Sequence, residues 1–461
     1  MEIRRLVFAM SIVVSGCSHH QDGDDGAGPD AAPPDSCSGL ACLQVDCASK
    51  GLPGTSVSGT VYAPNGTLPL FGVNVYVPQT DPGPLTQGVT CDRCNDGLPG
   101  GALVSTTTDE AGHFTLSDVP ATANVPVVVQ IGKWRRQLVV PNTAACQDTP
   151  LAATDTTLPK DRTQGDIPQI AITTGSADAL ECLILKLGVD PTEITNDTGG
   201  GRVHLYTNAA NTNKGGQGAK VFKAGWPGGS NAAFGDATAM WGSLDALKTY
   251  DIVLFSCEGG QFPESKPQTA MQAVHDFADL GGRVFMSHWH NIWVGGEQNN
   301  PTHGLADWES TATFNFNAPQ DQDNTIASID ESVTKGMSFA TWLVNVGAST
   351  TRDQIPISGA RYTLPSNNVA MSDRRVYLDP TVQGVNNHQS VQDLEFTTPV
   401  TVDEDQRCGK VVFSDMHVSS GSSSAPGTPY PNGCNTGDLT PQEKALAFIF
   451  FDISSCIGSI F

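Results

Sequence analysis

The sequence predicts a multidomain chain, a β-sandwich followed by an α/β doubly wound (flavodoxin-like) domain with a long insertion. Three observations carry that prediction. Residues 55–141 alternate apolar and polar positions between Gly- and Asn-containing turns, as half-buried strands do. From residue 167 onward, short β-branched runs alternate with segments at helical spacing. One of those runs, Asp251-Ile-Val-Leu-Phe-Ser256, holds a continuous apolar stretch, as parallel strands covered on both faces require.

The chain opens on processing signals. Arg4 and Arg5 precede the apolar run Leu6–Val14, the layout of a secretory signal. Val14-Ser-Gly-Cys17 resembles the lipobox of bacterial lipoproteins. The resemblance implies that residues 1–17 carry the signal and that Cys17 takes a lipid that anchors the chain to a membrane. Ser18, where Asp would signal retention, implies the outer membrane of a Gram-negative envelope. Residues 18–36 are acidic and rich in Pro and Gly, too poor in apolar groups to offset their ordering entropy, and read as a flexible tether. Cys37, Cys42 and Cys47 then complete an entry segment reaching residue 54.

Of the chain's 461 residues, 25 are Lys or Arg and 48 are Asp or Glu, a net charge of −23. A nucleic-acid partner needs a basic footprint, and none is present. The compact run Lys133-Trp-Arg-Arg136 reads as a strand face or as salt-bridge partners. With Cys17 set aside, eleven of twelve cysteines remain, an odd number that leaves at least one without an internal partner. Scattered pairs in an exported chain read as disulfides. Cys91-Asp-Arg-Cys94 lacks the second CxxC of a zinc site and reads as a loop staple.

In the sandwich, Val57–Tyr62, Val73–Val77, His113–Leu116, Val125–Ile131 and Gln137–Val140 are the expected strands, with Ala63-Pro-Asn-Gly66 as a turn. The order SGTVYAPNG, GVNVYVP, TDEAGHFTLSDVP resembles the carboxypeptidase regulatory-like (transthyretin-like) domain over roughly 85 residues. That implies a small supporting or binding sandwich without chemistry of its own. A departure around Thr80–Gly101 holds the CxxC. Residues 142–166 read as a linker.

Beyond it, Pro168–Thr173 is an expected strand, Ser176–Leu187 a helix, and Val203–Tyr206 and Asp251–Ser256 strands. Thr269–Leu280 is a helix stopped by Gly281-Gly282, and Arg283–Met286 is the next strand. Residues 297–405 break the alternation and read as a long insertion near the ligand edge, or a small subdomain. Gly409–Ser414 resumes it, and Thr440-Pro-Gln-Glu443 caps a final helix.

YDIVLFSCEGG (250–260), GGRVFMSHWH (281–290) and CGKVVFSDMH (408–417) resemble the class I glutamine amidotransferase-like superfamily, particularly its ThuA-like branch. By that resemblance Gly259 and Gly260 fall at an oxyanion-type loop, Ser287-His288 at the nucleophile elbow and His417 at the later histidine. The chain departs from the pattern. An elbow needs small residues on either side, and Ser287 sits between Phe285 and Trp289 with no thiol. Cys257 lies on the preceding strand, where a disulfide to Cys182 is an equal reading.

Residues two apart on a strand share a face, so His288 and His290 can share a ligand, and Asp415 with His417 repeats the spacing. Their strand ends belong to the carboxyl edge, where open α/β sheets bind ligands. His288, His290, Asp415 and His417 are therefore the metal candidates, suited to a divalent ion such as zinc. Glu258, His288 and His417 are the catalytic candidates. Against this, buried histidines often only satisfy backbone groups, and Trp289 and Trp293 can fill core as well as stack on a sugar. Two functions follow. The first is a cell-envelope lipoprotein that binds or displays, for a carbohydrate or protein ligand, with a non-catalytic amidotransferase-like domain. The alternative is a metal-dependent hydrolase-like or carbohydrate-modifying enzyme.

Overall fold

In chain order the first part contributes β1 (Ser56–Thr60), β2 (Asn74–Pro78), β3 (Ala102–Thr107), β4 (His113–Ser117), β5 (Ala123–Ile131), β6 (Trp134–Asn142) and β7 (Asp148–Pro150). The computed structural model describes residues 37–211, 218–300, 303–318, 323–383, 389–418 and 428–458. The signal, the lipobox with Cys17 and the tether fall in residues 1–36 and lie outside the described residues.

β4 shows the alternation most plainly, with Phe114 and Leu116 buried between exposed His113, Thr115 and Ser117. It pairs antiparallel with β1, Val57 opposite Leu116, in a sheet ordered β4-β1-β7. A second sheet, β3-β2-β5-β6, faces it. Val57, Leu116, Val75, Val77, Val125, Val127 and Val129 fill one core. The expected linker at 142–166 is packed instead. β7 pairs parallel with β1, Thr156 donates to the Thr60 carbonyl, and Leu158 is fully buried.

The second part holds β8 (Ile170–Thr174), β9 (Ile194–Asn196), β10 (Val203–Thr207), β11 (Gly235–Asp236), β12 (Ile252–Phe255) and β13 (Arg283–Ser287). β14 (Ala312–Thr313), β15 (Asp323–Ile329), β16 (Gln354–Ala360), β17 (Ser366–Asn367), β18 (Asp373–Leu378), β19 (Ser390–Thr398) and β20 (Gly409–Ser414) follow. Apart from a small β14–β17 ladder, they form a sheet ordered β11-β10-β8-β12-β13-β20-β19-β18-β15-β16, with β9 also on β10. From β11 to β20 the neighbours are parallel, and from β20 onward antiparallel. The 297–405 stretch thus widens the same sheet by four antiparallel strands. Tyr362–Leu364, a strand-like piece by sequence, lies outside them near the carboxyl edge.

The apolar runs split by parity. Ile170, Ile172, Ile252, Leu254, Phe285 and Val412 belong to one core, and Ala171, Val253, Phe255, Val284, Met286, Val411 and Phe413 to the other. A strand covered on both faces must be apolar at every position, which is what the sequence shows. Helix α1 (Leu180–Lys186) starts later than the expected 176 because residues 176–178 are used at the end of β8. Helices α2 (Gln268–Asp279), α3 (Thr334–Asn345) and α4 (Pro441–Ile453) complete the layers used below. The α4 capping box forms as expected, with Thr440 Oγ1 accepting from the Glu443 amide at 3.2 Å.

α4 is buried from Ala445 through Ile453, as a helix apolar all round must be. Trp134 of the sandwich packs on Phe450 and Phe451, Phe71 stacks on Phe448, and Trp342 Nε1 donates to the Pro69 carbonyl. Gly132 sits so close that a Cβ there would meet the Ser454 carbonyl oxygen at 1.9 Å. One core therefore runs from the sandwich through α4 to the wide sheet, and the described residues from Gly39 onward form a single compact unit. The basic run serves this joint, Lys133 pairing with Asp251 and Arg135 with Asp166.

Two disulfides brace it, Cys91–Cys408 and Cys94–Cys456, while Cys47–Cys146 lies within the first part and Cys182–Cys434 within the second. The two cysteines of the CxxC reach different partners, one just before β20 and one just after α4. The departure at residues 80–101 is thus the staple. Its Pro99 carbonyl also accepts from Tyr76 Oη on β2. Cys182 does not pair with Cys257, which is the free cysteine among the described residues. No helix among the described residues is long and apolar enough to cross a membrane.

Candidate functional site

Four parallel strands end side by side at β8, β12, β13 and β20, and the residues that follow them build the site. The chain runs from β8 out to β10 and then crosses to β12 on the other flank, so the sheet's direction of winding reverses between β8 and β12. Open α/β sheets bind ligands at such a reversal.

Cys257 follows β12 and is fully buried. Its Sγ lies 3.6 Å from His288 Nδ1 and accepts the Gly259 amide at 3.4 Å. That amide, expected at an oxyanion-type loop, is directed at the thiol. Burial pushes the Cys257 thiol up to about 12.

His288 follows β13 with φ +37°, a left-handed conformation that costs a non-glycine residue about 1–3 kcal/mol. The turn that holds it is the His288–Asn291 3-10 helix. His417, three residues past β20, brings its ring to 5.1 Å from that of His288. Burial holds both imidazoles below the usual histidine range, His417 down to about 3, with the Arg361 cation adding to the effect. Both are neutral at pH 7, and Nε2 of each is buried without a hydrogen-bond partner. One donor atom from each of Cys257, His288 and His417 lies within 4.8 Å of the other two.

His290 does not join this group. The 3-10 turn advances about 120° per residue, so residues two apart diverge rather than share a face. The His290 ring stacks on Phe255 and Trp293, accepts the Trp293 indole N–H at 2.9 Å, and lies 3.9 Å from Glu258. Trp293 is buried core. Glu258 is engaged in turn, its carboxylate 2.6 Å from Lys266 Nζ with both side chains fully buried. Lys266 also donates to the Gln261 carbonyl and lies over the Trp241 ring. Asp415 stays apart as well, bound through both oxygens to Thr363 Oγ1 at 2.7–2.8 Å and pushed by burial up to about 7. Of the sequence candidates, then, His288 and His417 meet. His290 and Glu258 belong to a second buried cluster, and Asp415 to a third.

Sequence reasoning overlooked two residues around the cluster, one that positions it and one that sets its electrostatics. Asp178, after β8, accepts Ser287 Oγ at 2.6 Å, the Val418 amide at 2.7 Å and its neighbour's amide at 2.9 Å, tying together the ends of β8, β13 and β20. This also occupies the Ser287 hydroxyl, which the elbow mapping placed at the nucleophile. Arg361, from the segment after β16, adds the nearby positive charge. Neither has a local motif, because each acts through strands distant in sequence. For Cys257 a signal existed, the odd cysteine count.

No family model matches this sequence, and no curated protein matches it significantly. Solved structures similar to part of it include two complexes. Both are type II cohesin–X-dockerin complexes of Acetivibrio cellulolyticus, one an N-terminal and one a C-terminal interface mutant. Each is 19% identical and covers 30% of this chain and 86% of the other, with TM-scores of 0.18 and 0.17. Scores at that level carry no argument about fold or function.

Proposed function

We propose that the chain is an exported, lipid-anchored binding or display protein of the bacterial envelope, probing a carbohydrate or protein ligand with a body that does no amide-transfer chemistry. The lipobox ending at Cys17 and the disulfide usage support export and an outer-membrane anchor. The motif order of the sandwich supports a carboxypeptidase regulatory-like module. The parallel strand order and the two apolar faces support a flavodoxin-like relative of the ThuA-like branch.

One observation carries the non-catalytic reading. The strained residue after β13, where relatives by resemblance place a nucleophile, is His288, and the neighbouring thiol is sealed and held protonated. A reactive cysteine needs the opposite, partial exposure and a depressed pKa. The alternative enzyme is less well supported, since Lys266 occupies Glu258 and Thr363 occupies Asp415.

The full chain expressed in a Gram-negative host tests the reading. Labelled palmitate is expected on the wild type and absent from Cys17→Ser, with no ammonia released from glutamine. Unlabelled wild-type protein would remove the anchor. Glutamine hydrolysis abolished by Cys257→Ala would restore an amidotransferase.

A further inference from the structure

We infer that Cys257, His288 and His417 form a binding site for one borderline-soft transition-metal ion of the zinc class. The inference rests on reading the α/β body as one that binds, and it names an ion that this body takes. The donors arrive from three neighbouring strands, β12, β13 and β20, so their convergence is set by sheet order and not by a mobile loop.

The distances suit a tetrahedral ion. With metal–sulfur and metal–nitrogen bonds of about 2.3 and 2.05 Å, sulfur and nitrogen ligands stand about 3.6 Å apart. Cys257 Sγ and His288 Nδ1 are 3.6 Å apart, with no further closure needed. His417 completes a set whose donor atoms all lie within 4.8 Å of one another, so it needs to close by no more than about 1.5 Å to reach the same geometry.

Chemistry agrees with geometry. Thiolate and neutral imidazole are donors for zinc and similar ions, and hard cations prefer oxygen. His417 keeps its buried Nε2 with no hydrogen-bond partner, a cost of about 1–3 kcal/mol that a stable core ordinarily avoids. The Gly259 amide already points at sulfur, as amides around metal thiolates do. Asp178 supplies the supporting shell by fixing the residues beside His288 and His417. A thiol–imidazole dyad for nucleophilic catalysis would need an exposed sulfur, and Cys257 is buried completely. Three protein donors leave a fourth coordination position open.

The test uses the full-length chain stripped with a chelator and titrated with zinc, with cobalt(II) as a spectroscopic probe. The expected result is one equivalent bound, a thiolate-to-cobalt absorption band, and a higher Tm with metal. Cys257→Ser is expected to abolish the band, and His417→Gln to weaken zinc affinity at least tenfold while the metal-free protein keeps its circular dichroism. His417→Gln also serves if Cys257→Ser fails to fold.

Three results would overturn the site. One is wild-type protein that binds less than a stoichiometric amount. Another is equal binding by a Cys257→Ser/His288→Ala/His417→Ala variant. The third is loss of the metal in His19→Ala/His20→Ala, which would assign it to the paired tether histidines. Palmitate labelling and the glutamine assay do not depend on metal. A metal-free chain that still passes them loses this site alone.

Discussion

Glu181, on the first turn of α1, is buried with neither carboxylate oxygen hydrogen-bonded to another side chain. Burial, with the Asp178 charge adding, pushes it up to about 8, and burial does the same to Asp393 on β19. A carboxyl whose folded pKa exceeds its unfolded value binds its proton in the native state after the unfolded chain has lost it, so stability falls as pH rises through that interval. The buried histidines work in the other direction, but only below their ordinary 6.5, since they are neutral in both states above it. From pH 6.5 to 8 the raised carboxyls therefore dominate. Chemical denaturation across that window is expected to show stability declining by on the order of 1–2 kcal/mol per raised carboxyl. Glu181→Gln should flatten the decline, and equal slopes for variant and wild type would refute the assignment.

At the scale of elements, α4 is the shared member of both halves, and Trp134 is the largest sandwich side chain packed against it. Trp134→Ala is expected to cost about 3–5 kcal/mol, in one cooperative transition that takes sandwich and sheet together. Two separated transitions would show that the shared core does not couple them. Most elements were legible because their cause is local. Alternation in β4, continuous apolar runs in β12 and β20, and the Thr440–Glu443 box each specify themselves within a few residues. The site was half legible. His288 and His417 could be placed at strand ends, but pairing His288 with His290 assumed that β13 continues. The left-handed His288 ends the strand there, and no single residue type announces that. Cys257, Asp178 and Arg361 are brought in by sheet order, which only the assembled sheet defines.

For the whole molecule, the bridges Cys91–Cys408 and Cys94–Cys456 close loops spanning 317 and 362 residues. In the chain-entropy account, bridges across loops this long stabilise most, by up to about 5 kcal/mol. Cys91→Ser/Cys94→Ser is expected to lower Tm and to open residues 80–101 to limited proteolysis, while Cys408 and Cys456 become reactive to a thiol reagent. Unchanged cleavage would show that packing alone holds the segment.

The same bridges fix how the body would bear load. Tension applied from the N-terminal side meets Cys47, and the shortest covalent path to the last helix then crosses only residues 47–94 before a bridge carries it to Cys456. The chain between Cys94 and Cys456, including β8, β12, β13 and β20 with Cys257, His288 and His417, lies off that path. A pulled molecule would pay out a short length of sandwich and then stiffen, leaving the strand ends that hold the cluster slack and undistorted.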